Sequence, residues 1–171
     1  MSPSPFIMEQ IEVFRAASGR RALDVAMGRG RHTLSLARAG FDTFGVDISI
    51  DAVRDAVAAA RRDALRLHAW CADLTRYPLP RARFDVVVVA RYLQRDLFPS
   101  LRASAAVGGV VLYETFTTAQ RALGVGPTSR DHLLEPGELR LQFGVAGWDV
   151  LFYEERREPE AVARLVARRS A

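Results

Sequence analysis

The chain has 171 residues, 49% of them hydrophobic and 26% charged; that leaves room for one compact domain over 1–171, not two, and argues against disorder. A single cysteine, Cys71, excludes an internal disulfide framework and fits a reducing compartment. The net charge of +4 comes from 24 basic and 20 acidic residues. Every basic residue is arginine, lysine and asparagine are absent, and the arginines are spread along the chain, a pattern of GC-rich codon usage more than of a nucleic-acid surface. No apolar run reaches membrane-spanning length, and Met1 to Phe6 lacks the basic start of a secretory leader, so a cytoplasmic protein without membrane contact is expected.

Pro5 to Ala17 has apolar residues at helical spacing (Ile7, Ile11, Phe14) and is expected to form a first helix ending near Gly19. Ala22 to Ala26 reads as a short strand, followed by the turn Gly28-Arg29-Gly30. A helix from Arg31 to Ala39 should stop at Gly40, because glycine readily takes the left-handed position after a helix. Thr43 to Asp47 is the second strand, and Ser49 is placed to cap a helix running to Arg62. Leu65 to Cys71 is the third strand, with Cys71 expected in the core. Phe84 to Ala90, with four successive valines, reads as a fourth strand buried on both faces.

Arg95 to Ala105 is expected to be helical, Gly108-Gly109 to turn the chain, and Val110 to Thr115 to be the fifth strand. Thr117 to Pro136 reads as loop, Pro136 to Phe143 as a short helix, Trp148 to Glu155 as the sixth strand and Ala161 to Arg168 as the last. This alternation implies a mainly parallel sheet covered on both faces. The tight final connection requires the last pair to be antiparallel.

The strongest motif runs from Asp24 through Val25, Ala26, Met27, Gly28, Arg29, Gly30 and Arg31 to His32, where the first strand meets a helix. Glycines let the backbone turn sharply and approach a ligand closely. The helix start offers free amides and a positive dipole end. A dinucleotide site would place a third glycine at position 33, which is Thr33, so a carboxylate-bearing nucleoside fits better than a pyrophosphate. The second strand ends in Val46-Asp47-Ile48, beside the first at the mouth of the crevice of an open parallel sheet. Asp47 can accept ribose hydroxyls there, and Ile48 can cover a base. The third strand ends in Ala72-Asp73-Leu74, with Asp73 placed for an adenine amino group and Leu74 for the ring edge.

On these residues the chain resembles the class I S-adenosylmethionine-dependent methyltransferases. Asp24, Ala26, Gly28 and Gly30 are similar to that family's acidic-x-Gly-x-Gly-x-Gly motif, with alanine in place of the first glycine. Asp47 matches its ribose-binding acid, and Asp73 with Leu74 its adenine-contacting pair. Gly28-Arg29-Gly30-Arg31-His32 and Glu135-Pro136-Gly137-Glu138-Leu139 further resemble the tellurite-resistance-like branch, although the connection Arg156 to Glu160 is shorter than that branch's histidine-containing insertion. The resemblance implies a Rossmann-like three-layer α/β sandwich with a seven-stranded, mostly parallel sheet whose last strand is antiparallel. It also implies S-adenosylmethionine as cofactor, S-adenosylhomocysteine as product, and a cofactor site of Asp24, Ala26, Met27, Gly28, Arg29, Gly30, His32, Asp47, Ile48, Asp73, Leu74 and Arg91.

Methyl transfer is an in-line displacement in which positioning supplies much of the acceleration, and a soft thiol, selenide or telluride needs little else. A hydroxyl or amine needs a base. Arg91 and Tyr92, after the fourth strand, and His132, in the loop Thr117 to Leu134, are the expected catalytic residues, with that loop as a substrate-facing lid. His68 is expected to be structural, and Glu114 to hydrogen-bond the loop that follows it. No cluster has metal-ligand spacing. A small-molecule acceptor and a monomer or homodimer are expected, nucleic acid is not. An RNA methyltransferase and a non-catalytic cofactor-binding domain remain as alternatives.

Overall fold

The computed structural model describes residues 2–15 and 20–171. Helix α1 (Pro5–Phe14) begins where the Ser4 hydroxyl accepts a hydrogen bond from the Ile7 amide and Pro5 takes the first helical position, where its missing N–H is no loss. The expected end of this helix near Gly19 lies outside the described residues. The chain continues as β1 (Arg21–Val25), α2 (Arg31–Arg38), β2 (Asp42–Asp47), α3 (Ile50–Arg62), β3 (Leu67–Cys71) and β4 (Phe84–Ala90). Next come α4 (Phe98–Ser104), β5 (Ala105–Phe116), α5 (Glu138–Phe143), β6 (Trp148–Arg156) and β7 (Val162–Arg169). Short 3-10 turns cover Arg95–Leu97, Thr118–Leu123 and Arg130–His132. Among the described residues no helix is long and apolar enough to cross a membrane.

The strands form one seven-stranded sheet in the order β3-β2-β1-β4-β5-β7-β6. Neighbours are parallel up to β5, and β7 runs antiparallel to both β5 and β6. This is the expected architecture, with β7 inserted between β5 and β6. One face carries α1 and α2: Phe6, Ile7, Ile11 and Leu36 bury against Val86, Val88, Val110 and Leu112. The opposite face carries α4 and α5, whose Phe98, Leu101, Leu139 and Phe143 meet Val87, Val89, Val111 and Tyr113. The alternating valines of β4 thus fill both layers, which is why that run has no polar side.

Three expectations change. β5 begins at Ala105, not Val110, because Gly108 and Gly109 form a bulge instead of a turn: Phe84 pairs with Ala105 and Val86 with Val110, so the β5 side holds extra residues. Cys71 is exposed, not buried; the polypeptide leaves the sheet edge at this point, and its thiol contacts the Ile48 carbonyl at 3.2 Å. The segment Thr117 to Leu134 is tied at its root. Leu134 N–H donates to Phe116 O, Thr118 N–H to Leu134 O, and the buried Gln120 side chain bridges Val125 O and the Ala161 amide. Any lid motion is therefore confined to the exposed tip.

At Gly109 an added Cβ would sit 2.9 Å from the carbonyl oxygens of both Ala106 and Phe84. Alanine in a strand is otherwise preferred to glycine, yet Gly109→Ala should destabilise the protein by about 1–3 kcal/mol through this overpacking. Urea unfolding measures it; an unchanged midpoint would mean the bulge is not packed as described.

Candidate functional site

β1 and β4 are adjacent, and the chain leaves them towards opposite faces, β1 into α2 and β4 towards α4. A crevice opens at such a switch point. Both strands end in a sharp turn made by a non-glycine residue in left-handed backbone, Ala26 at φ 54° and Arg91 at φ 57°. Strain of this kind costs about 1–3 kcal/mol per residue and gathers at functional sites. The two glycines between β1 and α2 serve different needs. A Cβ on Gly30 (φ +85°) would meet the Ala56 Cβ at 2.9 Å, so Gly30 allows α3 to pack closely. A Cβ on Gly28 (φ +55°) would meet nothing within 4 Å and would project into open space.

The three acids take different places. Asp47 Oδ2 accepts the Gly28 amide at 2.8 Å and Oδ1 the Ser49 amide at 2.9 Å, which fixes the carboxylate plane and leaves further lone pairs on both oxygens. Asp73 Oδ1 accepts the Thr75 amide (2.9 Å) and hydroxyl (2.6 Å), bonds that hold its carboxyl below the usual range, while Oδ2 stays open. Asp24 lies below the crevice, 1% exposed, with Thr33 Oγ1 donating to its Oδ2 at 2.6 Å. Burial pushes its carboxyl up to about 7, against the effect of the Thr33 bonds. Thr33, standing where a dinucleotide fold has glycine, thus ties α2 to β1 through Asp24. Asp24 shapes the turn from beneath and does not line the openings above it.

Two openings share Ala26 and Arg91 and make one trough along the strand ends. The first, of 340 Å³, is lined by Asp47, Ile48, Ala72, Asp73, Leu74 and Tyr92; the second, of 520 Å³, by Met27, Gly28, Arg29, Arg31 and His32. Of the expected site residues these are brought together, and the trough is acidic at one end and basic at the other. Arg29 is mostly exposed and pairs with Asp55 at 3.2 Å. Arg31, within the motif but not among the expected site residues, is half-buried: burial and the neighbouring Arg91 lower its pKa, and among the described residues its side chain makes one long bond, 3.4 Å, to the Ser2 carbonyl. Its place at the first position of α2 was the available signal.

His32 is 2% exposed, and its Nε2 accepts the Ser4 amide at 2.9 Å, so it fastens the N-terminal segment to the start of α2. Burial, with Arg31 and Arg91 nearby, holds its pKa down to about 4, and it stays neutral. Tyr92 donates to Gln94, whose amide donates to the Leu74 carbonyl. Burial and the carboxylates of Asp96, Asp47 and Asp73 raise its pKa, so it stays protonated. Arg91 forms a two-pronged pair with Glu160 and lies over the Phe116 ring at 4.6 Å.

His132 is not brought to this site. It is exposed at the end of a 3-10 turn and lines neither opening, because the buried Leu133 and Leu134 beside it anchor the segment away from the crevice. Glu114 is paired with Arg164 at 2.6 Å, not with the following loop. His68 meets Asp42 at 3.1 Å and stacks on Phe44, as a structural residue does.

A family described as "Methyltransferase domain" matches residues 22–107, about half of the chain. Ubiquinone biosynthesis O-methyltransferase of Methylococcus capsulatus is 28% identical over 138 residues, covering 77% of this chain and 58% of that protein. The crystal structure of TehB from Haemophilus influenzae superposes with a TM-score of 0.80 at 17% identity, over 98% of this chain and 63% of that one. An S-adenosylmethionine-dependent methyltransferase from Mesorhizobium loti gives 0.75 at 18% identity, over 94% and 96%. At these identities the two structures show a common fold. The chain spans less than two thirds of the length of the Methylococcus and Haemophilus proteins.

Folded Asp24 keeps its proton to about pH 7, whereas its ordinary pKa is 3.8. Between those values folding takes up a proton, so this group's contribution to stability falls as pH rises from about 4 to 7 and is level above. His32 acts oppositely: its stabilising contribution is lost as pH falls from 6.5 to about 4. Asp24→Asn removes the first dependence and keeps the second. The stability of the variant relative to the unmutated protein should therefore rise by about 2–3 kcal/mol from about pH 5 to about pH 8. Urea unfolding at both pH values measures it, and a difference independent of pH would mean that Asp24 is ionised throughout.

Proposed function

Because the chain belongs to the methyltransferase domain family, we propose that its domain over 1–171 transfers a methyl group from S-adenosylmethionine to a small-molecule acceptor. The observation that carries this is the polarity of the trough: carboxylates of Asp47 and Asp73 at one end, the guanidinium of Arg31 at the other, and the open face of Gly28 between them. A nucleoside joined to an amino-acid carboxylate has the matching sequence of groups. When bound, S-adenosylmethionine supplies a methyl group on a sulfonium, which leaves readily.

Asp47, already oriented by the Gly28 and Ser49 amides, accepts the ribose hydroxyls. Asp73 Oδ2 accepts from the adenine amino group, with Ile48 and Leu74 on the ring. Arg31 holds the carboxylate, and the Gly28 backbone stays out of the way. Tyr92, held by Gln94, walls the acceptor side. Neither His32 nor Tyr92 is free to take a proton, since one nitrogen of the first is engaged by Ser4 and the second stays protonated. The acceptor therefore arrives already nucleophilic, as a thiolate, selenide or telluride does, and the site acts through orientation. An oxygen acceptor, which the name of the Methylococcus relative indicates for that protein, would need a proton acceptor in addition.

Calorimetric titration should show binding of S-adenosylmethionine and S-adenosylhomocysteine, and not of NAD. Asp47→Ala should lose roughly a hundredfold in affinity, from two charge-assisted hydrogen bonds together contributing about 3 kcal/mol. A loss under about threefold in a folded protein would reduce Asp47 to a loop residue. Arg31→Gln should weaken S-adenosylhomocysteine about 10–100-fold while leaving 5′-methylthioadenosine, which lacks the carboxylate, within about twofold. Equal losses for both ligands would remove Arg31 from the carboxylate end.

A further inference from the structure

A third opening, of 670 Å³, lies between the start of α1 and strands β5, β7 and β6, and it meets the trough at Arg91. Its floor differs from the rest of that face. Deeper in the sheet the layer under α1 and α2 is apolar, with Val88, Leu112 and Val166. At the level of the cavity it is charged. Arg164 stands opposite both Glu114 and Glu154 in the strand register and donates to Glu114 at 2.6 Å and to Glu154 at 2.9 Å. Burying such a row is less favourable than burying apolar residues of the same volume, so it asks for a reason other than stability.

Glu114 is 2% exposed. Its Oε2 is taken by Arg164, while Oε1 has no hydrogen bond among the described residues. Yet no buried side-chain polar atom among those residues lacks a partner. Oε1 therefore reaches open space, and the open space that Glu114 lines is this cavity. At the mouth, the exposed Glu9 and Glu158 have no ion pair among the described residues. Arg91 is paired with Glu160, and the exposed Arg156 has no carboxylate in salt-bridge range among the described residues. Carboxylates outnumber guanidiniums in the lining by five to three.

We propose that this cavity holds the cationic end of the methyl acceptor, an ammonium or comparable organic cation, on Glu114, with Glu9 and Glu158 at its mouth. That the occupant is the acceptor rests on the methyl-transfer reading; the charge preference of the cavity does not. An ammonium has no lone pair to receive a methyl group, so the cation is an anchor. The reacting atom is another group of the same molecule, directed past Arg91 towards the trough. Phe6 and Phe152, with rings 5.7 Å apart, give the hydrocarbon body an apolar wall. Selection of a cation here would run against the protein's overall positive charge.

Benzylammonium and benzoate, alike in size and opposite in charge, serve as probes in saturation-transfer NMR titrations of the full chain. Benzylammonium should bind at least tenfold more tightly than benzoate. Glu114→Gln should abolish its binding. The double variant Glu9→Gln/Glu158→Gln, at exposed positions, should weaken it at least threefold and decides the matter if Glu114→Gln fails to fold. Equal binding of the two probes, a preference for benzoate, or the same loss in Glu12→Gln, on α1 outside the cavity, would overturn the proposal. S-adenosylmethionine titrated into the same samples keeps the two readings apart. Failure of that titration with the cation preference intact sinks methyl transfer, and the reverse result sinks the cavity assignment.

Discussion

β1 and β4 lie side by side in the middle of the sheet, and the chain leaves them towards opposite layers. That divergence leaves a gap which no helix can fill, and everything placed at the ends of these strands faces it. Ala26 and Arg91, the first residues beyond the two strands, both take left-handed backbone to make the turn. The valine-rich centre of the sheet holds them in that conformation: Val25 and Val89 pair directly and are both fully buried. The rigid part of the fold thus sets the shape of the trough, and its residues need little movement to meet a ligand.

Polar groups beneath the trough are arranged to fix geometry more than to react. Asp24 and Thr33 close the β1–α2 turn from below. His32 receives the Ser4 amide and brings the start of α1 down onto the sheet. In each case a buried polar side chain has one strong local partner, which offsets the cost of removing it from water. The exposed ends of Asp47, Asp73 and Arg31 are then left for a ligand. The row Glu114–Arg164–Glu154 extends this polar stratum under α1, beside a layer of buried apolar residues.

The sheet was legible in the chain because its signals are local and redundant. Four valines mark the interior of β4, while Asp47 and the glycines at 28, 30 and 40 mark element ends, and these signals agree with one another. What failed depended on distant partners. Gly108-Gly109 has the composition of a turn, and only the position of Phe84 across the strand makes it a bulge. Glu114 sits fifty residues from the arginine with which it pairs. Arg29 and Arg31 are equivalent on paper, but Arg29 lies in the turn before α2 and pairs with Asp55, whereas Arg31 opens the helix and is half-buried near Arg91. His132 drew notice as a loop histidine, whereas the anchors that keep it out, Leu133 and Leu134, look like ordinary loop residues until their burial is seen.

In the function proposed above, the trough takes a nucleoside and an amino-acid carboxylate in one orientation, set by the charges at its ends. A crystal structure of the protein with S-adenosylhomocysteine tests it most directly. The ribose hydroxyls should lie within hydrogen-bond distance of Asp47, the adenine amino group at Asp73, and the carboxylate at Arg31. A ligand bound in the reverse direction, or outside the trough between Ala26 and Arg91, would contradict it.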